Sequence, residues 1–337
     1  MNEIEARELI LTAYTIAFDR APSEKELELY SRLLVNEKLS AQSFLTTCLR
    51  SLEYTKKKGV RSVFPTGHYH SPVVDPSSVR NYVTKQQNTP LTDIKGLRID
   101  APAMLALWQK HLNFTRSFPF SQEPNDKDRF SYGNGPFPEG DAITLQMIFA
   151  EFRPTRVIEI GSGFSTACML DTADRLELPN FHITCIEPYP ERLRALLRDE
   201  DKQRVTIVES FVQDVDEGII DNLNPNDVLF IDSTHVMKTG SDVHFEFFHL
   251  LPRLKPGVLV HFHDVVYPFE YPDKWIFDFN YSWNEAYVLR AFLMYNSLFD
   301  IFYWNSLLWR NFGAQMRADI TLHSGNPGAS IWLKRSK

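Results

Sequence analysis

Apolar positions recur at helical spacing near the start of the chain and in short extended runs past its middle. Ile4, Leu9, Ala13, Ile16 and Ala17 fall on one helical stripe, which Arg20-Ala21-Pro22 ends. Ser23, with Glu26 three residues on, predicts a capping box for a second helix. Ser40 opens a third that carries Phe44, Leu45, Cys48, Leu49 and Leu52 on one side. Periodicity is then lost over residues 60–138, where Gly67–Pro72 and Pro136-Phe137-Pro138 are loop-like and one helix over Ala101–Leu112 interrupts them. From Asp141 onward the β-branched runs Arg156–Ile160, His182–Glu187, Arg204–Val208, Asp227–Ile231 and Gly257–His263 alternate with helical patterns at Ser165–Leu176, Pro190–Arg198 and Asp242–Leu254. That alternation predicts right-handed βαβ units: an α/β, doubly wound, mostly parallel sheet. A helix over Trp283–Tyr295 and two runs, Phe299–Trp304 and Ala329–Lys334, predict a closing pair of strands.

The expected organisation is therefore a small all-helical domain over residues 1–58, an irregular linker or lid over 59–138 and an α/β domain over 139–337. Lys56-Lys57-Lys58-Gly59 marks the first boundary. Composition adds exclusions. A net charge of −7 argues against a nucleic-acid partner, because phosphate binding needs basic surface. No apolar stretch approaches the roughly 20 residues that span a bilayer, and Met1-Asn2-Glu3-Ile4-Glu5 lacks the pattern of a signal peptide, so a cytoplasmic protein is expected. Cys48, Cys168 and Cys185 have neither paired nor metal-ligand spacing and read as reduced thiols.

The candidate chemistry lies at the ends of the predicted strands. Gly161-Ser162-Gly163 directly follows the first strand and precedes a helix, so the backbone can turn tightly and approach a ligand. Glu187 closes the second strand, where an acid can take the ribose hydroxyls of an adenosine ligand. The spacing Gly161-x-Gly163-x-x-Thr166 lacks the third glycine of dinucleotide sites. Asp232 ends the fourth strand and Asp264 follows the fifth, on the same carboxyl edge. Two converging carboxylates can hold a hard divalent cation. His235, three residues beyond Asp232, can take a proton from a hydroxyl. Glu139, Asp141 and His263 are unranked candidates for a third metal ligand.

Glu159, two positions before the first glycine, resembles the acidic residue of the first motif of class I S-adenosylmethionine (SAM) methyltransferases. The resemblance extends through Glu139-Gly140-Asp141-Ala142, Val157–Thr166, Ile186-Glu187-Pro188, Asp227–Asp232, Leu254-Lys255-Pro256-Gly257 and Ala329-Ser330-Ile331-Trp332. Within that class the chain is similar to bacterial O-methyltransferases that include macrolide-sugar enzymes. The resemblance implies a SAM-dependent O-methyltransferase acting on the hydroxyl of a small molecule such as a sugar or glycosylated metabolite. It implies cofactor contacts at Glu159, Gly161, Ser162, Gly163, Ser165, Glu187 and Asp232, with His235 and Asp232 catalytic and Mg2+ on Asp232 and Asp264. Val265 stands where catechol-type enzymes have an Asn ligand. The helical module over residues 1–58 resembles, distantly, phycobilisome linker domains, through Phe18-Asp19-Arg20-Ala21-Pro22 and Ser51-Leu52-Glu53-Tyr54. That implies a protein partner or a homo-oligomer contact for the helical module.

Two rival readings remain. His261 and His263 on the fifth strand suggest a metal-dependent oxygenase, and a non-catalytic SAM-fold scaffold fits the same fold. His244-Phe245-Glu246 imitates part of a two-His-one-carboxylate iron site, but on a helix it reads as a solvated or packed face.

Overall fold

Seven strands form one sheet in a computed structural model of the chain, which describes residues 1–18, 20–36, 38–49, 64–88, 94–321 and 325–337. They are β1 (Arg156–Ile160), β2 (His182–Ile186), β3 (Val205–Val208), β4 (Val228–Ile231), β5 (Leu259–Phe262), β6 (Phe299–Trp304) and β7 (Ile331–Arg335). Their spatial order is β3-β2-β1-β4-β5-β7-β6. The first five pair in parallel, and β7 runs antiparallel to both β5 and β6. Every residue of β4 and β5 is buried, which is why β4 reads as a continuous apolar run and β5 as one broken only by His261.

The chain starts in the middle of the sheet, winds out to β3 and returns to β4. The order therefore reverses between β1 and β4, the place where open α/β sheets bind ligands. Register sharpens this. Ile160 pairs with Ile186 on one side and Ile231 on the other, and Ile231 pairs with Phe262. Four strands thus end level, and the segments starting at Gly161, Glu187, Asp232 and His263 leave from one edge.

The helix Phe164–Arg175 follows the glycine loop, as expected. Three helices escape the periodic pattern: Pro76–Gln87, Glu139–Phe152 and Asn305–Asp319. Residues 139–149 are all buried, so that helix has no polar stripe to betray it. The run read as one helix over Asp242–Leu254 is an α-turn (Asp242–Phe245), a π-helical turn (Glu246–Leu250) and a 3-10 turn (Leu251–Arg253). Within the segment 118–138, Arg129 is buried and ion-paired to Asp171, Asp174 and Asp201, which pins this stretch to the sheet domain.

The chain divides into two compact units, Met1–Asp75 and Pro76–Lys337. In the first, helices Glu3–Phe18, Glu24–Val35 and Ala41–Leu49 enclose Ala6, Ile10, Tyr14, Phe18, Leu34 and Phe44. Ser23 and Glu26 form the capping box. Of the positions at helical spacing, Ala13 and Ala17 pack with Ala6 and Ile10, whereas Ile4 and Ile16 are 78% and 74% exposed. Ser51-Leu52-Glu53-Tyr54 and the expected boundary at Lys56-Lys57-Lys58-Gly59 lie outside the described residues. From Pro76 on, the segment expected to be irregular belongs to the second unit and holds the helices Pro76–Gln87, Ala101–Lys110 and Leu112–Arg116. Among the described residues no helix is long and apolar enough to cross a membrane.

Candidate active site

The glycine loop is shaped by its neighbours before any ligand arrives. Gly161 has φ +75°, and a Cβ there would lie 1.9 Å from the Asp232 carbonyl oxygen, so only glycine lets the exits of β1 and β4 touch. Glu159 is fully buried two residues earlier on β1. It accepts hydrogen bonds from Ser165 Oγ (2.6 Å) and Thr166 Oγ1 (2.5 Å), so its carboxylate ties the strand to the first turn of the next helix. Burial pushes its carboxyl up to about 8 against those bonds. Glu159 and Ser165 therefore bond each other behind the loop.

In front of the loop lies a cavity of about 430 Å³, lined by Gly161, Glu187 and Asp232 among others. Its volume falls in the ordinary range for small-ligand sites. Glu187 accepts from the backbone N–H of Ser162 (3.0 Å) and of Tyr189 (2.9 Å), which aims its carboxylate across the opening. The far walls come from residues that the motif reading passed over. Tyr189 and Phe211 stand edge to face with centroids 6.1 Å apart, and Val212 and Gln213 follow β3. Lys238 and Asp242 close another side, and Asp242 is fixed by Thr234 N–H and Oγ. Phe211 could have been found, since it sits just past a strand on the ligand-binding edge. Of the expected cofactor contacts, Gly161, Glu187 and Asp232 line the cavity, Ser162 and Gly163 form the loop beside it, and Glu159 and Ser165 do not reach it. The arrangement suits SAM: an acid at the end of β2, aromatic walls beyond it and a glycine turn at the opposite end.

Beside Asp232 the structure assembles a histidine site. His235 Nε2 lies 3.6 Å from Asp232 Oδ1 and 3.6 Å from Asp264 Oδ2. Its Nδ1 bonds Glu285 Oε2 at 2.8 Å, and Glu285 is 1% exposed. The backbone N–H groups of Asn284 and Glu285 both donate to the His235 carbonyl, and the Trp283 ring packs 4.4 Å from the imidazole. Glu285 had no role in the sequence reading, because fifty residues separate it from His235 and only the fold joins them. Burial works to lower the His235 pKa, but the hydrogen bond and charge of Glu285, then Asp264 and Asp232, outweigh it and raise it to about 9. His235 (φ +61°) and Asp264 (φ +57°) both occupy the left-handed region, which residues with a side chain rarely adopt and which clusters at functional sites.

Among the described residues, no group of three or more His, Cys, Asp and Glu side chains could hold a metal ion. Asp232 and Asp264 converge as expected, but the His235 imidazole stands between them. Of the third-ligand candidates, His263 approaches this pair, with Nε2 3.7 Å from Asp264 Oδ1. Asp141 accepts from Ala329 N–H, Ser330 Oγ and Asn305 Nδ2. His263 is buried with Nε2 3.2 Å from the Pro136 carbonyl, and Glu139 lines a different cavity beside Tyr132 and Arg116. These donors do not fit a divalent cation. His261 stacks on Phe230 at 3.7 Å within the core, which leaves the oxygenase reading without its ligands. Trp304 is likewise core, its Nε1 donating to the Val265 carbonyl.

A parallel sheet of this order, closed by an antiparallel β7 between β5 and β6, is the class I SAM-dependent methyltransferase fold. Residues 158–265 match the family described as "Methyltransferase domain". A protein of Archaeoglobus fulgidus, described as uncharacterized, is 31% identical over 175 residues, 50% of this chain and 76% of that protein, and this chain belongs to its family. Solved structures with similar architecture include the SAH-bound methyltransferase PaMTH1 of Podospora anserina, 17% identical with a TM-score of 0.39 over 82% of this chain and 100% of that one. The O-methyltransferase TomG of Streptomyces achromogenes, involved in tomaymycin synthesis and solved with SAM, is 15% identical with a TM-score of 0.39 over 77% and 96% of the two chains. At such scores neither structure informs the site, and the strand order itself carries the fold.

Proposed function

We propose that this chain transfers a methyl group from SAM to the hydroxyl oxygen of a small-molecule acceptor, with His235 as the base. The observation that carries the reading is the His235–Glu285 pair set against Asp232, a residue that also lines the cavity beside the glycine loop. Glu187 would hold the ribose hydroxyls, Tyr189 and Phe211 would flank the adenine, and Gly161 to Gly163 would face the methionine end. Bound SAM supplies an electrophilic methyl on a sulfonium. Glu285 fixes the imidazole so that Nδ1 keeps its proton and Nε2 points to the acceptor. The acceptor hydroxyl gives its proton to Nε2 as its oxygen bonds the methyl carbon and the carbon–sulfur bond breaks. Alignment and proton removal supply the rate, and no step here uses a metal.

The acceptor class we favour is a sugar or glycosylated metabolite, supported by the motif resemblance and by the stacked Tyr281 and Trp283 rings (4.4 Å) next to His235. Aromatic faces suit sugar rings. The helical module of the first unit is assigned a protein contact on its resemblance alone. The test is SAH formation across a panel of hydroxylated acceptors. His235→Ala is expected to keep SAM affinity and lose about 10²–10⁴ in turnover. Undiminished turnover in that variant would remove the base, and SAM binding without turnover on any acceptor would favour a scaffold.

A further inference from the structure

Glu246 is completely buried, the packed of the two roles its helical position suggested. It opens the π-helical turn Glu246–Leu250, a distortion frequent at functional sites. Both of its carboxyl oxygens lack a hydrogen-bond partner, and so do two buried atoms close to His235, Ser233 Oγ after β4 and Glu285 Oε1. Two neighbouring buried carboxylates repel, and one shared proton turns that repulsion into a hydrogen bond. Burial, then the charges of Glu285, Asp242 and Asp232, raise the Glu246 carboxyl well above its usual range, with the Ser233 hydroxyl acting in the opposite sense. Among the described residues no Lys, Arg or His pairs with it.

We propose that Glu246 is a positioning residue: held as the carboxylic acid, it donates a hydrogen bond to Glu285 Oε1, and so fixes the carboxylate whose Oε2 holds His235. Ser233 Oγ is then the donor for the second Glu246 oxygen. The series Ser233, Glu246, Glu285, His235 joins the exit of β4, the π turn and the helix Glu285–Leu293. A fully charged Glu285 would grip the imidazolium too strongly for a base; sharing its charge with Glu246 moderates that grip. The functional meaning rests on the reading of His235 as base, while the protonation itself can be measured with no acceptor.

Infrared difference spectra of the full chain at neutral pH, native minus Glu246→Gln, are expected to contain a protonated-carboxyl C=O band. Carboxylate bands alone in that difference overturn the proposal. NMR of 13C-histidine-labelled protein supplies the second readout. Glu246→Gln, whose amide can donate the same bond, is expected to leave the His235 titration midpoint in place. Glu246→Leu is expected to raise it by about one unit, as Glu285 recovers its full charge. A folded Leu variant that titrates like the native chain overturns the proposal, and if that variant does not fold the infrared difference decides. Failure of the base reading shows separately, as full turnover in His235→Ala with the infrared band intact.

Discussion

On the proposed reading, His235 is a base that the fold keeps protonated. Its pKa is raised to about 9 because Glu285, Asp264 and Asp232 outweigh burial, so at pH 7 only roughly one ring in a hundred is neutral. A base must be neutral to accept a proton, so activity should climb with pH, about tenfold per unit, and level off near 9. Initial rates of SAH formation across a buffer series would show this limb; a limb centred near 6.5 would mean that Glu285 does not act on the ring. Asp232, His235 and Asp264 were legible in the sequence because each lies within a few residues of a strand end. Glu285 and Glu246 were not, since their roles arise from contacts across loops whose path the sequence does not reveal. Glu159 was legible as an acid in the right motif, and its bonds to Ser165 and Thr166 tie β1 to the helix after the glycine loop.

Strands and glycine loop were read almost to the residue, because buried parallel strands advertise themselves as short apolar runs between turns. The helix Glu139–Phe152 hid for the opposite reason, being buried around most of its circumference. Asn305–Asp319 is broken by non-helical dihedrals at Phe312, which blurs its period. The glycine loop is the element on which the cavity depends most. In Gly161→Ala the new Cβ meets the Asp232 carbonyl at 1.9 Å with φ at +75°, and the clash is with backbone that cannot swing aside. The variant should lose on the order of 3 kcal/mol or more of stability, read as a drop in the urea midpoint. A loss under about 0.5 kcal/mol would show that the β1 and β4 exits are not held in this close approach.

For the whole molecule, the division at Asp75/Pro76 carries a functional expectation. The two units have separate hydrophobic clusters, and every residue placed in the cavity and histidine site belongs to the second. A chain starting at Pro76 should therefore fold and bind SAM within a few-fold of full length. A folded truncation that has lost SAM affinity would make the helical module part of the binding site.

The claim on which the rest depends is that SAM occupies the cavity in front of the glycine loop, with Glu187 on its ribose. Isothermal titration of SAM into the native chain and into Glu187→Ala tests it without an acceptor. Charge-assisted hydrogen bonds are worth about 1.5–3 kcal/mol, so the variant should bind about ten- to a hundredfold more weakly. Equal affinity in the two proteins, or no binding by the native chain, would contradict the assignment.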